Sequence, residues 1–205
     1  MGKGRLEAFS DGVIAILITI MVLQLTAPAG AGLAALRPLI PTFLSYVLSF
    51  VFLGIYWTNH HHLLQAIERV DGRILWANLH LLFWLSLVPF GTSWLGQTSF
   101  AAWPVALYGA ILLLAAVAYF LLVRALIAHH GRESTLAAAV GRDFKGKASV
   151  VIYLAAIPLA FVSAALAYGV YVAVALMWLI PDRRIERIFA PRAAQATKAG
   201  HDDAA

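Results

Sequence analysis

The chain has 205 residues, of which 62% are apolar and only 12% charged, with a mean hydropathy of +0.83; so few ionisable groups cannot cover the surface of a soluble protein of this size. The same composition excludes disorder, collagen-like repeats and coiled coils, and the absence of cysteine excludes disulfides, thiolate metal sites and thiol redox chemistry. The net charge of +5 lies mostly in short basic segments between apolar runs, which orient a membrane protein rather than bind nucleic acid.

A hydrocarbon core of about 30 Å needs about 20 helical residues to cross it. Apolar runs of that length fall near Leu6–Thr26, Leu39–Leu64, Ile74–Leu95 and Ala102–Leu126. The last run, Ala148–Ile180, is too long for one crossing and short for two; it contains Pro158, and a turn near Ser163–Gly169 would divide it. Charge favours the division. With the N-terminus inside, six spans leave Lys3, Arg5, Arg69, Arg73, Arg124, Arg132, Arg142, Lys145, Lys147 and the basic tail in the cytoplasm, and only Arg37 outside. Five spans would export the tail.

The expected fold is therefore an all-α integral membrane protein with six transmembrane helices (residues 1–181), followed by a basic cytoplasmic tail (residues 182–205) that starts as an interfacial helix at Arg183–Phe189. Both termini lie in the cytoplasm of a multi-pass cell-membrane protein. The basic start Met1-Gly-Lys-Gly-Arg5 and small-residue stretch Ala27–Gly32 look like a signal peptide, but Asp11 inside the apolar run argues for a retained helix. Trp94 and Trp103 fall at the outer interface and Trp178 at the inner one, an ordinary aromatic belt.

Polar groups inside spans need partners or water. Ser10 and Asp11 in the first span, Asn59 and His60 in the second, and Asn78 and His80 in the third all come to one depth near the cytoplasmic edge. That layer reads first as structural glue between helices and second as a proton or ion pathway. His60-His61-His62 is no metal site, because consecutive helical residues point about 100° apart; His60 is expected toward the bundle and His61 and His62 at the interface. His129 and His130 read as solvated loop residues. With Asp11 as zero, Gly12, Ile16, Thr19 and Leu23 form a stripe at about 80–140°, which periodicity alone assigns to ordinary packing.

The segment Arg5-Leu-Glu-Ala-Phe9-Ser10-Asp11-Gly12-Val13-Ile14-Ala15-Ile16 resembles the opening helix of the transmembrane protein 175 family, cation channels whose first helix carries Arg-x-x-x-Phe-Ser-Asp. The polar stretch Tyr56-Trp57-Thr58-Asn59-His60 and the pair Asn78 and His80 also resemble the family, whereas the C-terminal half does so only in span count and apolar character. The resemblance implies a homotetramer of six-helix subunits whose first helices line a potassium-permeable pore, with no cofactor beyond the permeant cations. It places the constriction at Ile16, with Thr19 and Leu23 as the next pore-facing positions and Gly12 and Ile20 as further candidates. Arg5, Phe9, Ser10 and Asp11 would hold helices and subunits in register. Gln24 stands where many relatives carry Glu, removing a carboxylate from each subunit's outer mouth. No glycine-rich carbonyl filter of the Thr-Val-Gly-Tyr-Gly kind occurs, so selectivity should be modest.

Two other function classes bear on the same residues. A proton channel or coupled transporter would relay protons through Asp11, His60 and His80, although no inverted repeat is visible. An intramembrane enzyme would need a nucleophile motif or metal-ligand set, and none accompanies these groups, so no enzymatic activity is expected.

Overall fold

The computed structural model describes residues 2–67, 69–131 and 144–179. The tail expected at 182–205, and the middle of the basic connector between Arg124 and Lys147, lie outside them. Helices α1 (Lys3–Val22), α2 (Ile40–Gln65), α3 (Gly72–Ser86), α4 (Val88–Gln97), α5 (Ala102–His130), α6 (Phe144–Val162) and α7 (Ala164–Leu179) follow in order, with a 3-10 segment at Leu33–Leu39 before α2.

Two helix breaks shape the bundle. Pro89 has no backbone N–H to give to Leu85, so the ladder is interrupted at Leu87, whose own N–H turns to the Trp84 carbonyl at 3.2 Å. The expected third span is thus two segments, α3 and α4, that share one arm. Ser163 breaks the long C-terminal run. Its N–H closes α6 on the Leu159 carbonyl at 2.8 Å, and its hydroxyl accepts the Leu166 N–H at 3.4 Å, capping α7. Pro158 lies inside α6, and Tyr168–Gly169, expected near a turn, lies within α7.

The two helices fold back as a hairpin. The Trp178 indole donates to the Ser149 hydroxyl at 2.9 Å, and the Tyr153 and Tyr171 rings sit 6.1 Å apart. Contacts at both ends show the six arms running alternately. Lys3 meets Gln65, Asp71 meets His129 and Ser149 meets Trp178 at one end. At the other end Gln24 meets Pro89, Phe100 packs against Tyr168 and Trp103 meets Phe161 edge-on. The start of α1 and the end of α7 therefore share an end.

Among the described residues, four segments are long and apolar enough to cross a membrane: Leu33–Gln65, Gly72–Gln97, Ala102–His130 and Phe144–Val162. α1 has 20 residues and α7 has 16, about 30 Å and about 24 Å of helix. The core is one continuous apolar cluster from Leu6 to Val174 and Ala175. Glycines allow its closest approaches, as small residues do between membrane helices. A Cβ at Gly96 would sit 2.6 Å from the Thr42 Cα, and one at Gly109 would overlap the Tyr171 hydroxyl.

Candidate functional site

α1 is held along one face. Leu6, Ser10, Ile14, Leu17 and Met21 are buried, and on the Asp11 reference they fall at about 220–300°. This face packs against α2, α3 and α4. Gly12, Ile16, Thr19, Ile20 and Leu23 are exposed, with Ile16 at 56% and Leu23 at 76%. The stripe drawn from angles therefore points away from the subunit's own core. Phe9 is exposed on the same side at 49%, and Arg5 is exposed near it. The hydroxyl of exposed Thr19 donates to the Ile16 carbonyl at 2.9 Å.

Behind α1 runs a buried polar chain. His60 Nε2 donates to Asn78 Oδ1 at 2.7 Å, Asn78 Nδ2 donates to Ser10 Oγ at 2.9 Å, and Ser10 donates to the Leu6 carbonyl at 2.9 Å. All three residues are fully buried. His60 Nδ1, left as the acceptor nitrogen, is buried without a partner among the described residues.

A second row joins α1 to α2 nearer the surface. Lys3 donates to the Gln65 carbonyl at 3.3 Å, Glu7 pairs with His61 Nδ1 at 3.1 Å, and Asp11 accepts from the Trp57 indole at 3.0 Å. Each rung lies four residues from the next on both antiparallel helices, which is one turn. The expected polar layer is thus two rows. Asp11 bonds Trp57 and not an imidazole.

Two residues expected in that layer lie elsewhere within the subunit. Asn59 turns its amide to the Ile55 carbonyl of its own helix at 2.8 Å, and exposed His80 accepts from Trp84 one turn on at 2.9 Å. They sit at the expected depth but on the wrong faces of α2 and α3. His129, which is exposed as expected, and half-buried His130 lie in a helix and not in a loop. They end α5, where His129 pairs with Asp71 at 3.3 Å and His130 Nε2 accepts the Arg69 N–H at 3.4 Å. Asp71 also caps α3 by accepting the Ile74 N–H at 2.9 Å. That backbone bond, helped by His129 and Arg73, holds its carboxyl below the usual carboxylate range.

A further buried cluster carries no marked sequence signal. Ser49 bonds the Thr92 hydroxyl at 2.6 Å and the Tyr108 hydroxyl at 2.8 Å, tying α2, α4 and α5 together. Three isolated hydroxyl residues in apolar runs become visible as a set only when the helices are packed.

Comparison with known proteins adds four findings. The family model of the endosomal/lysosomal potassium channel TMEM175 matches residues 5–89, the stretch that holds both polar rows apart from Lys3. Over 187 residues the chain is 53% identical to a potassium channel of Chryseobacterium sp. (strain P1-3), covering 91% of this chain and 97% of that one. The endosomal/lysosomal proton channel TMEM175 of Danio rerio is 29% identical over 132 residues, 62% of this chain but only 24% of that protein. Among solved structures, that of a lysosomal potassium-selective channel TMEM175 homolog from Chamaesiphon minutus superposes with a TM-score of 0.76 at 30% identity, over 87% of this chain and 96% of that one.

Proposed function

Since this chain belongs to the TMEM175 family of ion channels, a family of multi-pass membrane proteins and not of enzymes, we propose that it forms a potassium-permeable, weakly selective cation channel. Four subunits of six crossings each meet around an axis lined by α1, in the cell membrane with both termini cytoplasmic. The single observation that carries this reading is the two-sidedness of α1: one face is buried in its own subunit, and the opposite face, with Gly12, Ile16, Thr19 and Leu23, is left exposed by the described residues.

A ring of Ile16 side chains is the constriction. A narrow apolar ring excludes water, and a small outward movement of the helices wets it and admits hydrated or partly hydrated cations. Thr19 hydroxyls beside it offer oxygen ligands, and Leu23 forms the next ring outward. No carbonyl cage replaces the hydration shell, so discrimination between potassium and sodium is modest. Arg5 and Phe9, exposed on the same side of α1, bear on the neighbouring subunit. Ser10 and Asp11 tie α1 to α2 and α3, so that the pore wall moves with the helices behind it.

The test is potassium-gradient flux in liposomes holding the purified protein. Ile16→Ala or Ile16→Asn should raise flux and lower the preference for potassium over sodium. Unchanged flux and preference in both variants would move the constriction elsewhere.

One observation favours a second reading, proton conduction: the bare, buried Nδ1 of His60 is an open proton acceptor beside α1. The relay through Asp11, His60 and His80 is interrupted within the subunit, because Asp11 bonds Trp57 and His80 bonds Trp84. Proton flux that is lost in His60→Gln while potassium flux persists would support it.

A further inference from the structure

α1 is flanked by different helices on its two sides. Going round it from the exposed stripe at about 80–140°, one direction reaches Asp11 at about 360°, which bonds α2. The other reaches Gln24 at about 220° and Ser10 at about 260°, which bond the α3–α4 arm. A ring of subunits closed around that stripe repeats one contact between unlike surfaces, so the α2 side of each subunit meets the α3 side of the next. This step rests on the proposed assembly around α1.

Rotation about an axis normal to the membrane changes no residue's depth, so residues that meet between copies lie at one level. The His60–Asn78 bond fixes the level of α2 against α3. These helices run in opposite directions. Thr58, two residues before His60, and His80, two residues after Asn78, therefore both lie about 3 Å further from the end where Lys3 meets Gln65. Both side chains are exposed on the subunit.

Each of the two has one hydrogen-bonding function left over, and the two are complementary. The Trp84 indole donates to His80 Nε2 at 2.9 Å, so the neutral ring carries its proton on Nδ1, and that N–H meets no acceptor among the described residues. The Thr58 hydroxyl gives its one proton to the Gly54 carbonyl at 2.9 Å and is left to accept. His80 lies about two turns inside an arm that is long and apolar enough to cross a membrane. A lipid chain offers its N–H nothing there.

We propose that His80 of each subunit donates from Nδ1 to the Thr58 hydroxyl of the neighbouring subunit, joining α3 to α2 around the ring. The relief agrees one turn further out. A Cβ at Gly54 would meet nothing within 4 Å, and this bare turn is level with Trp84, each lying six residues from the His60–Asn78 bond. A glycine there lets the neighbour's larger side chain approach. The contact also reaches the pore wall, because Trp57 beside Thr58 holds Asp11 of α1.

The experiment is thiol crosslinking in membranes, on a chain that has no cysteine of its own. With His80→Cys and Thr58→Cys in one chain, a short bismaleimide should give a ladder of dimer, trimer and tetramer, because every subunit then carries both halves of the contact. The two single variants expressed together should give dimer only, and each expressed alone should give none. A second measurement reads the bond itself. His80→Phe and Thr58→Val should each weaken the tetramer in detergent, by about three-fold per contact, and the double variant should be no weaker than the weaker single one. Elution like that of the parent confirms that each variant is folded. A double-cysteine chain that gives no ladder, or strictly additive losses in the folded variants, would overturn the proposal. Dimers through Ile16→Cys without the ladder would leave the α1 axis standing and remove this contact alone. The ladder without Ile16→Cys dimers would uphold the contact and remove the axis.

Discussion

At the scale of single residues, Asn78 is the middle link between His60 and Ser10, and its amide serves both with an acceptor and a donor. Asn78→Ala leaves the His60 and Ser10 groups bare in a buried place, which costs about 1–3 kcal/mol; the expected outcome is a lower melting temperature in detergent. An unshifted melting curve would mean water replaces the amide at no cost. Asp71 makes a prediction in pH. Its carboxyl is held below the usual carboxylate range chiefly by the Ile74 N–H. A depressed acid stabilises the fold above its unfolded pKa, and the contribution is lost as pH falls through the folded value. Asp71→Ala should therefore lose less melting temperature than the parent between about pH 6 and about pH 3. Equal acid sensitivity in the two proteins would remove the cap from the account. Both residues also show what is readable in a sequence. The depth of Ser10, His60 and Asn78 follows from counting along spans, but the rotation that turned Asn59 and His80 to other faces does not.

Between elements, backbone approach decides the packing. Gly109 faces Tyr171 so closely that any Cβ meets the phenol oxygen first. Gly109→Ala should destabilise the α5–α7 contact by about 1–3 kcal/mol, and Tyr171→Phe in the same chain should recover part of that loss, because it removes the first atom met. Melting temperatures of the two single variants and the double variant give the coupling; strict additivity would show that the clash is not with the hydroxyl. The hairpin of α6 and α7 makes a related point. Charge bias argues for two helices in the long C-terminal run, and Ser163 is where the chain divides, since its hydroxyl caps one helix as its N–H closes the other. A single serine among many is no signal in one dimension.

For the whole molecule, the proposed assembly has a direct chemical test, because the chain contains no cysteine. A single Ile16→Cys substitution places one thiol per subunit on the axis, where facing pairs come within disulfide reach. Oxidation in membranes should then give covalent dimers on a gel. Leu17→Cys, on the face buried against its own subunit at 7% exposure, should give none. Dimers from both positions, or from neither, would mean that α1 does not line an axis. The abundance of exposed large side chains elsewhere, among them Trp76 at 75% and Val162 at 84%, is what a lipid-facing surface presents. The α1 stripe is separated from that background by the Arg-x-x-x-Phe-Ser-Asp motif beside it.

The sequence by itself determined that the chain is a helical membrane protein, where its apolar segments run, which motif it carries and which face of α1 holds Ile16. These follow from composition, run length and the angle per residue, all of which are local. The tertiary structure decided which polar groups meet: Ser10 with Asn78 and His60, Asp11 with Trp57, Asp71 with His129, and Ser49 with Thr92 and Tyr108. In an almost uniformly apolar helix no amphipathic pattern records its rotation about its own axis. That rotation is set by the shapes of neighbouring helices, at contacts such as Gly96 on Thr42 and Gly109 on Tyr171, and it exists only once they are packed.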